Sequence, residues 1–281
     1  MNRKSVSLLG IFLSVLIFLL IFNSIFNTPE NPEEDYSWKF VILGDTQDLS
    51  AHAPDLFFNA TQWIANQSDI IYVTQMGDLV DDRDNMTQWK TAYDAMHILD
   101  GHADWGAVPG NHDLEAMPIN GTASAIEDST NYNTFFGECE HHDIVKNQFI
   151  FIYLRFDHLD YAESIIQDHQ DLYAIIVIHS CLFSDTLYDE NVVERVSKYN
   201  NVIAILSGHH TGSAFFQCAN NQGGEISLIL TNYQDIPTIT NSLKVCTVFK
   251  DRIDVKTFEP MSNIYKNGSY GFMEEFSFSY G

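Results

Sequence analysis

Five short polar clusters in this chain carry residue types that can do chemistry together. They are Gly44-Asp45-Thr46-Gln47, Gly77-Asp78-Leu79-Val80-Asp81, Gly110-Asn111-His112-Asp113, His179-Ser180 and Gly208-His209-His210-Thr211. Carboxylate, amide and imidazole groups are ligands for borderline and hard cations. Two carboxylates at the spacing of Asp78 and Asp81 can serve as a ligand and the group that supports it. Each cluster ends an apolar run: Phe40 to Leu43, Ile70 to Val73, Ala107-Val108, Ile175 to Ile178 and Val202 to Leu206. Short β-branched runs closed by turn residues read as buried strands, and open α/β sheets bind ligands beyond the carboxyl ends of their strands. The pattern predicts five strand ends that deliver Asp, Asp, Asn, His and His to one edge, a set suited to metal ions.

Alone, each cluster has an ordinary alternative. Asp45 reads equally as a turn or helix cap, the Asp78–Asp81 stretch as a solvated loop, and His179 or His209 as a hydrogen-bonded core histidine. Gly110-Asn111-His112-Asp113 is the most specific, because it joins an amide, an imidazole and a carboxylate at one turn. The order of all five resembles the calcineurin-like metallophosphoesterase superfamily, whose pattern runs D-x-H, G-D-x-x-D, G-N-H-D/E, a lone H, then G-H-x-H. The resemblance extends from Trp38 to Pro260, and Tyr132–Gly137 and Asp254–Pro260 match smaller family features. It implies an α/β fold, a four-layer α/β/β/α sandwich with two mixed β-sheets, holding one or two divalent ions of Mn, Fe or Zn.

Carried over by position, the resemblance makes Asp78 the carboxylate that bridges two metals. Asn111, His179 and His209 complete the second metal, and Asp45 belongs to the first. His112 becomes a non-ligand histidine that contacts the phosphoryl group and protonates the leaving oxygen, with Asp113 and Asp81 orienting it and its neighbours. The implied activity is that of a hydrolase, a phosphatase-like phosphoesterase that uses a metal-activated water on a small phosphomonoester or phosphodiester.

Two departures fall on the first metal. Gln47 and Thr211 stand where the family pattern has histidines. A Gln oxygen ligates more weakly and prefers harder ions, and a Thr hydroxyl is a poor neutral ligand. His210 is a nearby imidazole, but adjacent side chains on an extended segment point to opposite sides. The site is therefore dinuclear with a weak first metal, mononuclear, or silent. The alternative to an enzyme is a catalytically silent domain of the same family that binds a ligand or partner.

The whole chain sets bounds on these readings. Its 38 acidic and 14 basic residues give a net charge of −24, which argues against a nucleic-acid partner. Arg3 and Lys4 precede an apolar stretch from Val6 to Phe26, so residues 1–27 read as a signal anchor or signal peptide and 28–37 as a polar linker. The expected localisation is membrane-anchored or exported, with the catalytic domain (38–260) outside the cytoplasm. Residues 261–281 form a C-terminal extension. Cys139, Cys181, Cys218 and Cys246 are free thiols or up to two disulfides. Sequons begin at Asn59, Asn66, Asn85, Asn120 and Asn267.

Stripes at helical spacing must connect the strands. Leu56, Phe57, Ala60, Trp63 and Ile64 predict one helix, and Trp89, Ala92, Tyr93, Met96 and Leu99 a second. Tyr161 to Ile166 and Val192 to Tyr199 predict two more. Beyond Gly212, Ser213–Cys218, Glu225–Thr231, Leu243–Phe249 and Arg252–Phe258 read as successive antiparallel strands.

Overall fold

The computed structural model describes residues 38–119, 122–124, 127–138, 140–155, 158–234, 240–266 and 273–280. The expected anchor and linker lie outside the described residues, and no helix among those described is long and apolar enough to cross a membrane.

Two mixed sheets form the body. In the first, β1 (Trp38–Leu43), β2 (Ile70–Gln75) and β3 (Asp104–Ala107) run parallel. Beside β1 lies antiparallel β12 (Leu243–Val248), followed by β13 (Arg252–Glu259). The second sheet has β7 (Phe149–Leu154), β8 (Tyr173–Ile178), β9 (Val202–Ser207) and β11 (Glu225–Asn232) in parallel. Its antiparallel edges are β6 (His141–Lys146) and β10 (Gly212–Ala219). The strand pair β10–β11 is antiparallel as the sequence predicts. The pairing of β11 with β9 is parallel, which corrects the all-antiparallel expectation for this region. A small ladder joins β4 (Ala116–Ile119) to β5 (Thr122–Ser124). In the stretch from Met261, β14 (Ile264–Tyr265) and β15 (Glu275–Ser279) both join the first sheet through β13.

Alternation along β1 explains the layering. Phe40 and Ile42 enter the core between the sheets, where Phe40 meets Phe151 with ring centroids 5.5 Å apart. Val41 and Leu43 face the opposite way, towards α2 (Pro54–Ala65) and α3 (Met86–Met96). The second sheet turns Ile150, Ile152, Ile176 and Ile178 towards α5 (Leu159–Asp168) and α6 (Glu190–Val196). Three apolar cores thus separate helices, sheet, sheet and helices. The helices follow the predicted stripes, with a further short α1 (Gln47–His52) directly after β1. Asn85, read as a sequon, caps α3 by accepting bonds from the N–H groups of Thr87 and Gln88. Cys181, Cys218 and Cys246 are free thiols.

Candidate metal centre

The parallel strands of each sheet run the same way, so their carboxyl ends share an edge. Asp45 follows β1, Asp78 follows β2, and Asn111 opens the short helix α4 (Asn111–Leu114) after β3. His179 follows β8 and His209 follows β9. These ends meet at the His179 ring. Its Nε2 lies 3.2 Å from Asp78 Oδ2, 3.2 Å from Asn111 Oδ1 and 3.2 Å from His209 Nδ1. The other ring nitrogen donates to the Met76 carbonyl at 2.7 Å, so the proton that can leave is the one on Nε2.

The backbone is strained to reach this arrangement. Asp78 (φ 50°) and His209 (φ 64°) both occupy the left-handed region without being glycine. Such strain persists only where the surroundings impose it, and it clusters at functional sites. Two motif glycines permit close approach: a Cβ at Gly110 would collide with Asp78 Oδ1, and one at Gly208 with Asp45 Oδ1.

Asp113 lies beneath this surface. Its carboxylate is fully buried and accepts from Leu79 N (2.8 Å), Val80 N (3.1 Å) and Gly110 N (2.8 Å), tying the Asp78 turn to the Asn111 turn. Gln88 holds the next part of that loop, accepting from the N–H groups of Asp81 and Asp82 at 2.9 Å each. His112 is half-buried. Its backbone N–H donates to Asp78 Oδ1 at 2.9 Å and its Nδ1–H to the Asp81 carbonyl at 2.9 Å, with Asp81 Oδ1 at 3.4 Å.

Asp45 is held differently. Its Oδ2 accepts from His209 N at 2.9 Å and from Asn232 Nδ2 at 2.7 Å. Asn232 closes β11, and it also donates to the His209 carbonyl at 3.2 Å. Gln234 continues the network, accepting from Asp48 N at 2.6 Å. The sequence reading missed Asn232, Gln234 and Gln88. Asn232 carries the same signal as the motif residues, a polar side chain ending an apolar run. His210 and Thr211 are exposed; the His210 ring sits 4.9 Å from that of Phe183, and Thr211 borders a cavity.

Charge is crowded here. Burial raises the Asp45 carboxyl well above its ordinary value, and the Asp78 charge adds to this while His179 opposes it. Burial and then Asp78 push Asp113 up to about 7. At Asp78 burial also acts upward, but His179 outweighs it and holds the group below the usual range. Burial opposes protonation of His179, yet Asp78 and Asp45 lift it to about 10. Burial and His179 depress His209.

The residues present fit a metal ion. Donor-to-donor separations of 3.2 Å are the edges of a coordination polyhedron with bonds of about 2.0–2.2 Å. Ligand atoms of Asp78, His179 and His209 lie within 4.8 Å of one another. Gln47 Oε1 is buried with no hydrogen-bond partner among the described residues, an oxygen that a cation would satisfy.

Residues 39–211 match the family described as calcineurin-like phosphoesterase. The chain belongs to that family. It is 26% identical over 285 residues to the uncharacterized protein YvnB of Bacillus subtilis (strain 168), an alignment that covers 89% of this chain and 22% of YvnB. The chain thus spans about a fifth of that relative's length. Among solved structures, this calcineurin-like phosphoesterase is similar to purple acid phosphatase PPD1 from yellow lupin (Lupinus luteus) seeds. The TM-score is 0.63 and the identity 15%, over 88% of this chain and 54% of that one. GAP50, the anchor in the inner membrane complex of Plasmodium, gives a TM-score of 0.51 and 12% identity over 87% and 89%. Likeness at these identities establishes the α/β fold.

Proposed function

We propose that the chain is a metal-dependent hydrolase of a small phosphomonoester or phosphodiester. The observation that carries this reading is the convergence of Asp78, Asn111 and His209 on His179 Nε2, each at 3.2 Å. Asp78, Asn111, His179 and His209 would hold one divalent ion, and Asp45 and Gln47 would serve a second alongside Asp78. When bound, such ions supply Lewis acidity and a water that ionises near neutral pH.

The protein's own groups do the rest. The Met76 carbonyl holds His179 in the tautomer whose Nε2 can ligate. Two hydrogen bonds fix His112, one from its backbone N–H and one from Nδ1–H, and leave Nε2 free to protonate a leaving oxygen. Asp81 holds that ring. Asp113 touches neither ring nor substrate position; it is a positioning residue that fixes the two turns carrying Asp78 and His112.

The second reading, a silent ligand-binding domain, is favoured by Gln47 and Thr211 standing in place of two imidazoles. Elemental analysis of the full chain, with a phosphoester panel assayed with and without chelator, separates the two. Chelator-sensitive hydrolysis restored by Mn is expected. A metal-bearing chain that binds phosphate without turnover supports the silent reading, and hydrolysis by a metal-free chain in chelator overturns both. The basic, apolar leader supports a membrane-anchored or exported protein with its catalytic body outside the cytoplasm. Recovery of the intact chain in the cytosolic soluble fraction would refute that placement.

A further inference from the structure

A cavity of about 470 Å³ opens beside the candidate metal centre. Thr211 and Phe183 stand on its wall, and ring contacts lead from that wall to the ligands. Phe183 meets His210 at 4.9 Å, His210 meets His209 at 4.7 Å, and His209 meets His179 at 5.0 Å between centroids. Phe215, Leu230 and Met273 give the wall apolar stretches beside the polar Ser184, Thr211 and Ser213, and Asp185 is the one acidic side chain on it among the described residues. A volume of this size holds a small organic group with room to spare.

The distribution of positive charge narrows what that group is. Of the chain's 14 basic residues, Arg3 and Lys4 lie in the leader; all the others are among the described residues, and none lines the cavity. Lys244 is nearest behind the wall. Its ammonium donates to Ser213 Oγ (2.8 Å), Thr257 Oγ1 (3.3 Å) and the Met273 carbonyl (3.0 Å), which uses all three donors inside the protein. Among the described residues no Lys or Arg lines the cavity to pair with a second phosphate or a carboxylate on the substrate. The exposed Asp185 and the two phenylalanine rings suit the opposite charge, because a carboxylate and aromatic faces both attract ammonium groups.

We propose that this cavity receives the organic part of the ester and selects an alkylammonium group there, with Asp185 as the residue that sets specificity. The proposal rests on the phosphoesterase reading, which places the phosphate at the metal centre. The ester would carry one phosphate at the metals and a primary or quaternary amine against Asp185, Phe183 and Phe215.

Calorimetry on the metal-loaded full chain tests this with four probes: inorganic phosphate, phosphocholine, propyl phosphate and phosphoglycolate. Each affinity is read relative to inorganic phosphate on the same protein. Phosphocholine should bind tightest and phosphoglycolate weakest. Asp185→Lys should invert that order, changing the phosphocholine-to-phosphoglycolate ratio by about tenfold or more, as reversing one nearby surface charge does. Asp185→Asn should fall between. If phosphoglycolate binds as well as phosphocholine, or if Asp185→Lys leaves the ratio unchanged, the cavity assignment is wrong while the phosphoesterase reading stands. If the metal-loaded chain binds none of the four, the phosphoesterase reading itself fails and takes this proposal with it.

Discussion

In the half of the site served by β8 and β9, two imidazoles, an amide oxygen and a carboxylate meet at 3.2 Å spacings, and strained backbone at Asp78 and His209 is held to make them meet. In the half served by β1 and β11, oxygen replaces nitrogen. Asp45 spends its carboxylate on Asn232 and the His209 backbone, and Gln47 offers a buried, unpartnered carbonyl. Both halves hang from strand ends on one shared edge, so the fold alone does not explain the contrast; side-chain chemistry does. Imidazole with carboxylate favours borderline ions, whereas neutral and anionic oxygens favour harder ones with more retained water. The imidazole-bearing half should therefore hold its ion against most competition, and the oxygen-rich half should fill only when free metal is plentiful.

The severest way to break the comparison is to remove the residue the halves share. Asp78→Ala should lose metal from both and abolish hydrolysis. Its loss of metal affinity should exceed the roughly 10–100-fold typical for a group that merely supports a ligand. Elemental analysis after dialysis checks this, and one tightly retained ion would show that Asp78 serves a single half. His112→Ala is next. It should keep its metals and lose about 10²–10⁴-fold in rate, with a smaller loss on a p-nitrophenyl ester whose leaving group needs no proton. Equal loss on good and poor leaving groups would remove His112 from proton transfer.

Much of this site can be read in the sequence because the signal repeats: an apolar run, a glycine, then a ligand type. β1, β2 and β9 announce themselves in that way, and β8 does so without the glycine. What escapes is set by tertiary pairing. Phe149–Leu154 is an unbroken apolar run that becomes the buried strand β7, but the residues that follow it, Arg155 to His158, do not repeat the pattern of a glycine and then a ligand type. Asn232 reads as a turn until parallel pairing of β11 with β9 brings it to Asp45. Asp113 follows His112 in the chain, which suggests a partnership, yet the turn of α4 directs it inward to three backbone N–H groups. Lys244, which the sequence analysis does not single out, is fully buried and reaches Ser213 on the facing sheet.

A gentler change sharpens the contrast between the halves. Gln47→His with Thr211→His restores the family's two imidazoles, and the weaker ion should tighten by about tenfold or more. Metal titration of the single and double variants decides where the gain arises. Gln47 opens α1 and has a buried Oε1, so Gln47→His should carry most of the effect. Thr211 is exposed and borders the cavity, so Thr211→His alone should add little. Equal tightening from each would place Thr211 at the metal rather than at the cavity.

The last effect is one on stability and concerns the support of the oxygen-rich half. Ser213 lies two residues beyond Thr211 and Tyr233 directly follows Asn232; both belong to a buried cluster with Thr257, Glu274 and Lys244. Burial pushes Lys244 down to about 8 from an ordinary value of 10.5, with Glu274 opposing the shift. Below pH 8 the lysine is protonated whether the chain is folded or not, and the folded state bears the full cost of burying the charge. Between about 8 and 10.5 the folded lysine gives up its proton while the unfolded one keeps it. The unfolded state then binds more protons, so this group's contribution to stability rises with pH across that window, by at most about 3 kcal/mol. Lys244→Met removes the titrating group. Urea unfolding of both proteins at several pH values from 7 to 10.5 should show the wild type gaining on the variant as pH rises. The cluster reaches the strong half through the Asn232 bond to the His209 carbonyl rather than through a ligand side chain, so the variant should keep its tightly bound ion. A stability difference that stays flat with pH would mean that Lys244 is not held as a buried cation. Loss of the tight ion would mean that the two halves share one support.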